Sequence, residues 1–422
     1  MNIFTVIALL VVSLGILNLL RMSFFMIGSD IYGLLKLLQK RGESNFQPSV
    51  SVVIPAFNEE KSIIACVNSV LRSNYPKNKM EIIVVNDGST DNTAKILKEF
   101  KLKNAFKNLR IIIQTNSGKA HALNNGIKNY AKGELIMCLD GDSMLTKEAI
   151  KNAVRHFEQK NVMALASNLK IKKDKGFINL IQRFEYAISY QMKKAQTVFN
   201  IEYIIGGVGS VFRRRILEKV YFYDTNTVTE DIDLTLKILR NGNKNFRVIY
   251  GSDVVTYTQG ALTIKDLVKQ RYRWKWGRYQ TFFKNKDLFF SLDRKFSKGL
   301  SWFYLPYAIF SDITFFLEPI LVTYVWWVIL HLGDANSLIT MVAIITFYLV
   351  LNIISEETFS IMEKVELVVL APLMYFLFYV LSMVEYVALI KSWVNMPKLR
   401  KSLLNQRQNW QPIARSGFED GV

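Results

Sequence analysis

The sequence predicts an α/β fold flanked by transmembrane helices. Three observations lead to this prediction. Short β-branched and apolar runs alternate with helical patterns between residues 45 and 300. Long uncharged stretches lie at the beginning and near the end of the chain, and acidic residues follow several of the predicted strands. Alternation of strand and helix is typical of a parallel sheet covered by helices on both faces.

The composition narrows the class of protein. Half of the 422 residues are hydrophobic, which excludes a disordered chain, and 21% are charged, which argues against a pure membrane bundle. Lys and Arg number 54 against 35 Asp and Glu, which gives a net charge of +19. These numbers indicate a basic soluble domain joined to membrane segments. Cys66 and Cys138 form no CxxC or Cys/His cluster, so neither a disulfide framework nor a zinc site is expected.

The first apolar run predicts an N-terminal transmembrane anchor over residues 1–27. The segment from Met1 to Leu20 carries no charged side chain, and it is long enough to cross a hydrocarbon core of about 30 Å as a helix. Neither the basic start nor the small-residue cleavage site of a signal peptide is visible. Basic residues follow, such as Arg21 and Lys36, and they place the end of the anchor in the cytoplasm.

Residues 301–394 predict further transmembrane helices. The segments 335–355 and 367–384 are uncharged, whereas 303–332 is interrupted by acids and two prolines. Acids inside or beside these runs are Asp312, Glu318 and Glu385. Such acids either face a protein or water interior or lie at the level of the lipid headgroups. The number of crossings stays open, because three crossings after the anchor would put the basic tail, residues 395–422, outside the cell, against the positive-inside rule.

Residues 45–260 predict a cytosolic domain of alternating strands and helices. The predicted strands are 51–55, 81–85, 109–114 and 135–139, and the predicted helices are 63–71, 91–101, 120–130 and 232–240. In parallel sheets, ligands bind outside the carboxyl ends of the strands. Asp87, Asp140 and Asp142 follow strand ends. The sequence therefore predicts a ligand site at this edge of the sheet.

Two features near the strand ends suggest how a phosphate could be bound. Asp140-Gly141-Asp142 places two carboxylates at one strand end, and Mg²⁺ is usually shared between carboxylates and substrate phosphates. A simple Asp/Gly turn is the alternative, but Asp87 in the parallel position favours the metal site. Lys119 begins a helical stretch, which favours phosphate binding, although a surface lysine would look the same.

Two later motifs add a base and an aromatic platform. Thr229-Glu230-Asp231 opens a helix, so its acids either complement the helix dipole or supply a general base. The segment Gln270–Trp274 carries an Arg that can pair with phosphate oxygens and a Trp that can stack on a sugar. It lies in residues 261–300, a basic and aromatic region typical of interfacial helices. An interfacial helix without further function is the alternative.

Together these motifs resemble the inverting membrane glycosyltransferases of family 2, which include cellulose, chitin, hyaluronan and poly-N-acetylglucosamine synthases. The matching segments, in the same order, are 53–60, 85–91, 139–142, 229–231 and 270–274. The context from Asp231 to Thr235 and the short N-terminal anchor look most like bacterial poly-β-1,6-N-acetylglucosamine synthases. The resemblance implies a Rossmann-like GT-A glycosyltransferase domain with flanking transmembrane helices.

The resemblance also implies a role for each matching residue on the nucleotide side. The uridine end of a UDP-sugar would be held by Ala56, Asn58, Glu59 and Asp87. Lys119 would approach the diphosphate. Asp140 would contact the nucleotide, and Asp142 beside it would hold Mg²⁺ or Mn²⁺ on the diphosphate.

On the acceptor side, the resemblance implies a catalytic base, a group of residues that contact the diphosphate and the acceptor sugar, and a glycine-rich loop. Asp231 would be the base, with Glu230 beside it. The diphosphate and the acceptor sugar would be bracketed by Gln270, Arg273 and Trp274. The run that contains Gly209 and Ser210 would shape the acceptor site, where close backbone approach is needed.

The implied activity is that of a processive β-glycosyltransferase in the cell membrane, multi-pass, with its catalytic domain in the cytoplasm. It would polymerise a sugar from a UDP-sugar, with UDP-N-acetylglucosamine as donor, poly-β-1,6-N-acetylglucosamine as product and extrusion through its membrane helices. Its partners would be the growing polysaccharide and the lipid bilayer, and a small membrane subunit is left open. The alternatives are a hyaluronan, chitin or cellulose-type synthase, a nonprocessive glycolipid transferase and a non-catalytic membrane scaffold. Nucleic acid is not expected as a partner, because it would explain the charge of +19 but not the acids at the strand ends.

Overall fold

One eight-stranded mixed sheet forms the centre of the protein. The computed structural model describes residues 3–38, 45–104, 106–242, 245–333, 335–404 and 415–418. The strands are β1 (Val50–Ala56), β2 (Met80–Asp87), β3 (Leu109–Gln114), β4 (Leu135–Cys138), β5 (Ser143–Leu145), β6 (Val162–Ile171), β7 (Ser210–Arg213) and β8 (Arg247–Thr258). Their order across the sheet is β3-β2-β1-β4-β7-β6-β8-β5.

Helices cover the sheet and continue into the apolar ends of the chain. The helices up to the basic region are α1 (Ile3–Leu38), α2 (Ile63–Leu71), α3 (Thr93–Lys103), α4 (Lys119–Asn129), α5 (Ala149–His156), α6 (Phe177–Phe199), α7 (Arg214–Lys219), α8 (Glu230–Asn241) and α9 (Ile264–Lys284). The later helices are α10 (Leu305–Phe315), α11 (Glu318–Leu332), α12 (Ala335–Ile354), α13 (Ile361–Leu370), α14 (Met374–Val394) and α15 (Leu399–Ser402). Of the predicted basic tail, residues 405–414 and 419–422 lie outside the described residues.

The first four strands confirm the predicted parallel sheet. β1 pairs in parallel with β2 and β4, and β2 pairs in parallel with β3. Val52, Val53 and Ile54 are fully buried, although successive side chains of a strand point to opposite faces. Both faces are therefore covered by apolar cores. Because Ala56 lies opposite Asn86 in the register, the loops that follow these strands meet at one edge.

The other half of the sheet is mixed, which the alternation of strand and helix did not predict. β7 is antiparallel to β4 and β6, β8 is parallel to β6, and β5 is antiparallel to β8. β5 and β7 contain three and four residues, which is too short for a periodic pattern to identify. Pairing of Ser143 with Thr258 brings the end of β8 beside the acidic turn at Asp142.

The predicted apolar helices at both ends of the chain are confirmed. Among the described residues, three helices are long and apolar enough to cross a membrane: Phe4–Leu38, Ala335–Ile354 and Ile361–Val394. A bent pair, Gly299–Phe315 and Glu318–His331, could form one more span and turns by 52° at its break. The bend lies in the segment that the sequence marks as interrupted.

The helix α1 continues beyond residue 27 and packs on α6. A Cβ added at Gly28 would lie only 2.5 Å from the Cβ of Ala195, so the two helices approach closely at this glycine. The Tyr32 hydroxyl donates a hydrogen bond to the Tyr250 carbonyl at 3.0 Å. The second half of α1 is therefore attached to the α/β domain.

Two of the acids near the apolar helices face the protein interior. Asp312 is 4% exposed and pairs with Lys275 at 3.5 Å and with Arg278. Glu385 pairs with Arg271 at 3.3 Å and with Lys275 at 3.0 Å. These two acids are therefore paired with cations inside the protein, in line with the first of the two interpretations.

Candidate active site

The loops after β1 and β2 are clamped together at the carboxyl edge of the sheet. The backbone N–H of Asn58 donates to the Ser89 hydroxyl at 3.0 Å, and the Asn58 side-chain oxygen accepts from the Thr90 N–H at 2.8 Å. Asn58 adopts a φ of 58°, a conformation that asparagine tolerates better than most residues. Ala56, at the end of β1, is buried beneath this clamp. The two loops thus form one wall of a cleft.

Asp87 holds the turn that leads into α4. Its Oδ1 accepts from Gln114 Nε2 at 2.7 Å and from the Ser117 N–H at 2.9 Å, and its Oδ2 accepts from the Gly118 N–H at 2.8 Å. The side chain is 3% exposed. Asp87 therefore orders the turn directly before Lys119.

Lys119 joins two acidic parts of the site. Its Nζ lies 2.7 Å from Asp140 Oδ1 and 3.2 Å from Glu230 Oε1. Burial disfavours the charged form, yet the carboxylates of Asp140, Glu230 and Asp231 raise the pKa of Lys119 above its ordinary value. Lys119 therefore carries a permanent positive charge between the Asp140 turn and the start of α8.

Asp142 lies at the bottom of the acidic turn. It is 7% exposed, and its Oδ1 accepts from the Ser143 hydroxyl at 3.2 Å. Its Oδ2 lies 3.1 Å from Arg415 Nη2. Burial and the nearby charge of Asp142 raise the pKa of Glu59 far above its usual range. The guanidinium of Arg415 opposes this rise of the Glu59 pKa.

Asp231 is held at the N-terminus of α8. Its Oδ2 accepts from the Gly207 N–H at 3.0 Å, and its Oδ1 accepts from the Ile232 N–H at 2.8 Å. Burial and the neighbouring charge of Glu230 raise the pKa of Asp231 to about 6, against the attraction of Lys119. A carboxylate with such a pKa is ionised at neutral pH and is still basic enough to accept a proton.

The glycine run before β7 allows this close packing. A Cβ at Gly207 would lie 2.8 Å from Lys119 Nζ. Gly209 adopts a φ of 65°, and a Cβ there would lie 2.3 Å from Thr256 Cγ2. Ser210 is 1% exposed inside β7. Gly207 therefore borders the charged cluster, whereas Gly209 and Ser210 lie in the packed layer behind it.

The α9 motif lies on the other side of the cleft. Gln270 is 6% exposed. Burial lowers the pKa of Arg273, and the nearby charges of Glu230, Asp231 and Asp140 oppose this effect. Trp274 is partly exposed, with the guanidinium of Arg271 at 4.3 Å from its ring centroid. The structure thus brings Lys119, Asp140, Glu230 and Asp231 into one charged cluster, with Arg273 within electrostatic reach of these acids.

Residues 51–221 match the family described as "Glycosyl transferase family 2". A poly-beta-1,6-N-acetyl-D-glucosamine synthase of Staphylococcus epidermidis is 31% identical over 299 residues, which cover 69% of this chain and 69% of that protein. The chain belongs to glycosyl transferase family 2. A synthase of the same name from Staphylococcus aureus (strain COL) is 31% identical over 248 residues, 58% of each chain.

Among solved structures, this family 2 glycosyltransferase resembles a mannosyltransferase, PcManGT, from Pyrobaculum calidifontis in complex with GDP-Man and Mn²⁺. The TM-score is 0.55 at 19% identity, and the likeness covers 89% of this chain and 96% of that one. At this identity the likeness supports the fold alone, and it confirms the predicted GT-A-like domain.

The acidic turn of this glycosyltransferase fits a shared divalent metal ion. Within the described residues, no group of three or more His, Cys, Asp or Glu side chains could hold a metal by itself. Asp140 and Asp142 offer oxygen ligands. Each is paired with a cationic side chain, Asp140 with Lys119 and Asp142 with Arg415. Mg²⁺ in proteins is usually bound by one or two carboxylates together with the phosphates of the substrate, and this pair of carboxylates fits that pattern.

Sequence reasoning did not identify Arg415 as part of the site. The segment 415–418 packs against it: the Gly417 N–H donates to Gln259 Oε1 at 2.7 Å, and Phe418 is 6% exposed beside Met144. No local pattern signals a contact between residues so far apart in the chain. Gly207, by contrast, belongs to the glycine run 206–210 that the resemblance assigned to the acceptor site.

Proposed function

We propose that this family 2 glycosyltransferase is a processive, inverting β-glycosyltransferase. It takes UDP-N-acetylglucosamine as the donor and extends poly-β-1,6-N-acetylglucosamine. The observation that carries the proposal is Asp231, a partly buried carboxylate with a pKa of about 6 beside the cluster of Lys119 and Asp140. The names of the relatives that are 31% identical support the choice of sugar and linkage.

The nucleotide would lie against the clamped loops after β1 and β2. Asn58 and Asp87 hold the loops of this part of the site in place. Glu59, whose pKa is raised by burial and by the charge of Asp142, would contact the base or the ribose. In the proposal, the ammonium group of Lys119 also interacts with the diphosphate when the donor binds.

Asp140 and Asp142 would hold Mg²⁺ or Mn²⁺. When bound, the ion supplies positive charge that stabilises the departing diphosphate. Asp142 is now paired with Arg415, so the guanidinium has to move from Asp142 before this carboxylate can bind a metal ion. Arg273 adds positive charge from α9 on the acceptor side.

The chemistry assigned to the chain is a single in-line displacement. An acceptor hydroxyl attacks the anomeric carbon as UDP departs from the opposite face, and an α-linked donor gives a β-linked product. Asp231 takes the hydroxyl proton, which contributes roughly 10²–10⁴-fold to the rate. The N–H groups of Gly207 and Ile232 orient its carboxylate.

The acceptor chain would reach the site along α9 and leave through the apolar helices. Trp274 presents an aromatic ring to a sugar, and Gln270 offers a buried amide. In the proposal the protein is a multi-pass protein of the cell membrane with its catalytic domain in the cytoplasm. The three candidate spans and the bent pair support this arrangement.

A panel of UDP-sugars tests the proposal. We expect the purified protein in lipid nanodiscs to release UDP fastest from UDP-N-acetylglucosamine with Mg²⁺ or Mn²⁺ and to form long products. Asp231→Asn should abolish release, while Asp287→Asn, which removes an exposed carboxylate paired with Arg240 at 2.8 Å, should not. Another preferred UDP-sugar would favour a hyaluronan, chitin or cellulose-type synthase, and single additions to lipid would favour a glycolipid transferase. Absence of turnover with every UDP-sugar would contradict the enzyme proposal.

A further inference from the structure

A buried guanidinium lies against the tryptophan of the α9 motif. Arg271 is 3% exposed, and its Cζ is 4.3 Å from the ring centroid of Trp274. At this distance the cation is attracted by the electrons of the indole face. One side of the Trp274 ring is therefore covered by a charge from its own helix.

Two acids from two other helices fix this guanidinium. Arg271 Nη2 lies 2.6 Å from Glu185 Oε2 on α6, and Arg271 Nε lies 3.3 Å from Glu385 Oε1 on α14. Burial raises the pKa of Glu185, while the charge of Arg271 acts to lower it. The contact with Glu185 is a hydrogen bond, whereas the contact with Glu385 is an ion pair. A lysine, with a shorter reach and a compact ammonium group, cannot take the place of the planar guanidinium between the two acids. The position of Arg271 is thus determined by three helices at once.

The same helix is tied to the apolar helices by further charges. Lys275, one turn after Arg271, bridges Glu385 at 3.0 Å and Asp312 of α10 at 3.5 Å. The Tyr279 hydroxyl donates to Asp312 Oδ2 at 2.6 Å. These contacts form a continuous ionic strip between α9 and the candidate membrane helices α10 and α14.

The opposite side of α9 packs on the helix that carries the proposed base. A Cβ added at Gly277 would lie 2.4 Å from Thr229 Cγ2, so the Thr229 side chain packs directly on the backbone of α9. The Val228 N–H donates to Gln280 Oε1 at 3.0 Å. Thr229 directly precedes Glu230 and Asp231. A shift of α9 would therefore reach both Trp274 and the start of α8.

We propose that Arg271 is a positioning residue for Trp274 and that Glu385 couples this position to the apolar helix α14. The inference rests on the proposed function, in which Trp274 contacts the acceptor sugar. In the proposed function, neither Arg271 nor Glu385 contacts a reacting atom. They set the orientation of the indole, so acceptor binding depends on an ion pair with a helix of the predicted membrane region.

Two variants and a matched control test this by kinetics. Arg271→Lys keeps the charge but cannot hold both acids, and Glu385→Gln removes one of them. Glu366→Gln is the control, because it breaks an ion pair of the same kind between α6 and α13, with Arg183 at 3.1 Å. We expect the first two to raise the acceptor KM about 10-fold. The donor KM and the acceptor-independent release of UDP should stay within about two-fold, and the control should match the wild type.

A merely structural role would give another pattern. Loss of folded protein lowers UDP release and sugar transfer by one common factor and leaves the acceptor KM unchanged. That pattern, in a wild type that turns over UDP-sugar, would overturn the inference and leave the proposed function standing.

A spectroscopic measurement is independent of turnover. In protein labelled with 5-fluorotryptophan, the ¹⁹F resonance that disappears in Trp274→Phe belongs to Trp274. We expect Glu385→Gln to shift or broaden this resonance and Glu366→Gln to leave it in place. An unchanged Trp274 resonance in Glu385→Gln would refute the positioning role, even if no UDP-sugar were turned over.

Discussion

Replacing Asp231 by Asn should abolish transfer and stabilise the fold. The amide resembles a protonated carboxyl in shape but cannot take a proton from the acceptor hydroxyl. A missing general base costs roughly 10²–10⁴-fold in rate. Asn keeps one oxygen that can accept from the Gly207 N–H, as Asp231 Oδ2 does at 3.0 Å, so the loop around it should stay in place. Its NH₂ group cannot accept from the Ile232 N–H, and the loss of this hydrogen bond offsets part of the gain in stability.

The gain in stability follows from the pKa of Asp231. The folded state raises this pKa from 3.8 to about 6, so folded protein binds the proton more tightly than unfolded protein. The charged carboxylate therefore destabilises the fold once the pH exceeds the unfolded value, and the cost is complete above the folded value. A rise of about two pH units corresponds to at most about 3 kcal/mol, which Asp231→Asn should recover at pH 8.

Thermal unfolding in nanodiscs at two pH values measures this effect. We expect Asp231→Asn to unfold at a higher temperature than the wild type at pH 8, with a smaller difference at pH 4.5, where part of the wild type is already protonated. The exposed control Asp287→Asn should show neither change. If Asp231→Asn keeps wild-type transfer, the assignment of the base is refuted. If Asp231→Asn unfolds at a lower temperature than the wild type at pH 8, the conclusion that the charged form of Asp231 destabilises the fold is refuted.

Further predictions concern the pH dependence of kcat/KM, the backbone conformation at Gly209, the contact of Arg415 with Asp142, and the requirement for a divalent metal ion. The kcat/KM profile should rise with pH through an apparent pKa near 6, because Asp231 acts deprotonated; a flat profile between pH 5 and pH 8 would count against it. Gly209→Ala should lower the free energy of unfolding by about 1–3 kcal/mol in denaturant titrations, since its φ of 65° and the contact with Thr256 disfavour a side chain; an unchanged midpoint would contradict this. Arg415→Ala should strengthen Mn²⁺ binding about 5-fold in the absence of donor, measured by electron paramagnetic resonance, because a competing cation leaves Asp142; weaker binding would show that Arg415 does not compete. Chelation by EDTA should stop transfer, and added Mg²⁺ or Mn²⁺ should restore it; full activity in EDTA would exclude the metal.

Much of the site could be predicted because its residues lie at positions that the backbone pattern marks. Asp87 and Asp140 follow buried strands, and the carboxyl ends of parallel strands share one edge. Asp231 opens a helix, where capping residues are recognisable. The structure brings these residues to one cleft because the first four strands are in register.

The remainder depends on contacts that leave no local signal. Arg415 reaches Asp142 from the far end of the chain, and Arg271 meets Glu185 and Glu385 from two distant helices. In the mixed half of the sheet, β5 and β7 were missed because strands of three and four residues carry no measurable period. The longer strands β6 and β8 were also not predicted. In the basic region 261–300, the pairing of Arg271, Lys275 and Arg278 with carboxylates of other helices likewise left no local signal.

The product made from UDP-N-acetylglucosamine is the most direct test of the central claim. Wild-type protein in nanodiscs, supplied with this donor and Mg²⁺, should form a polymer whose NMR spectrum shows β-1,6 linkages and which a β-1,6-specific hexosaminidase degrades. Asp231→Asn should form none. An α-linked product, or no product from this donor while another UDP-sugar is polymerised, would contradict the proposed function.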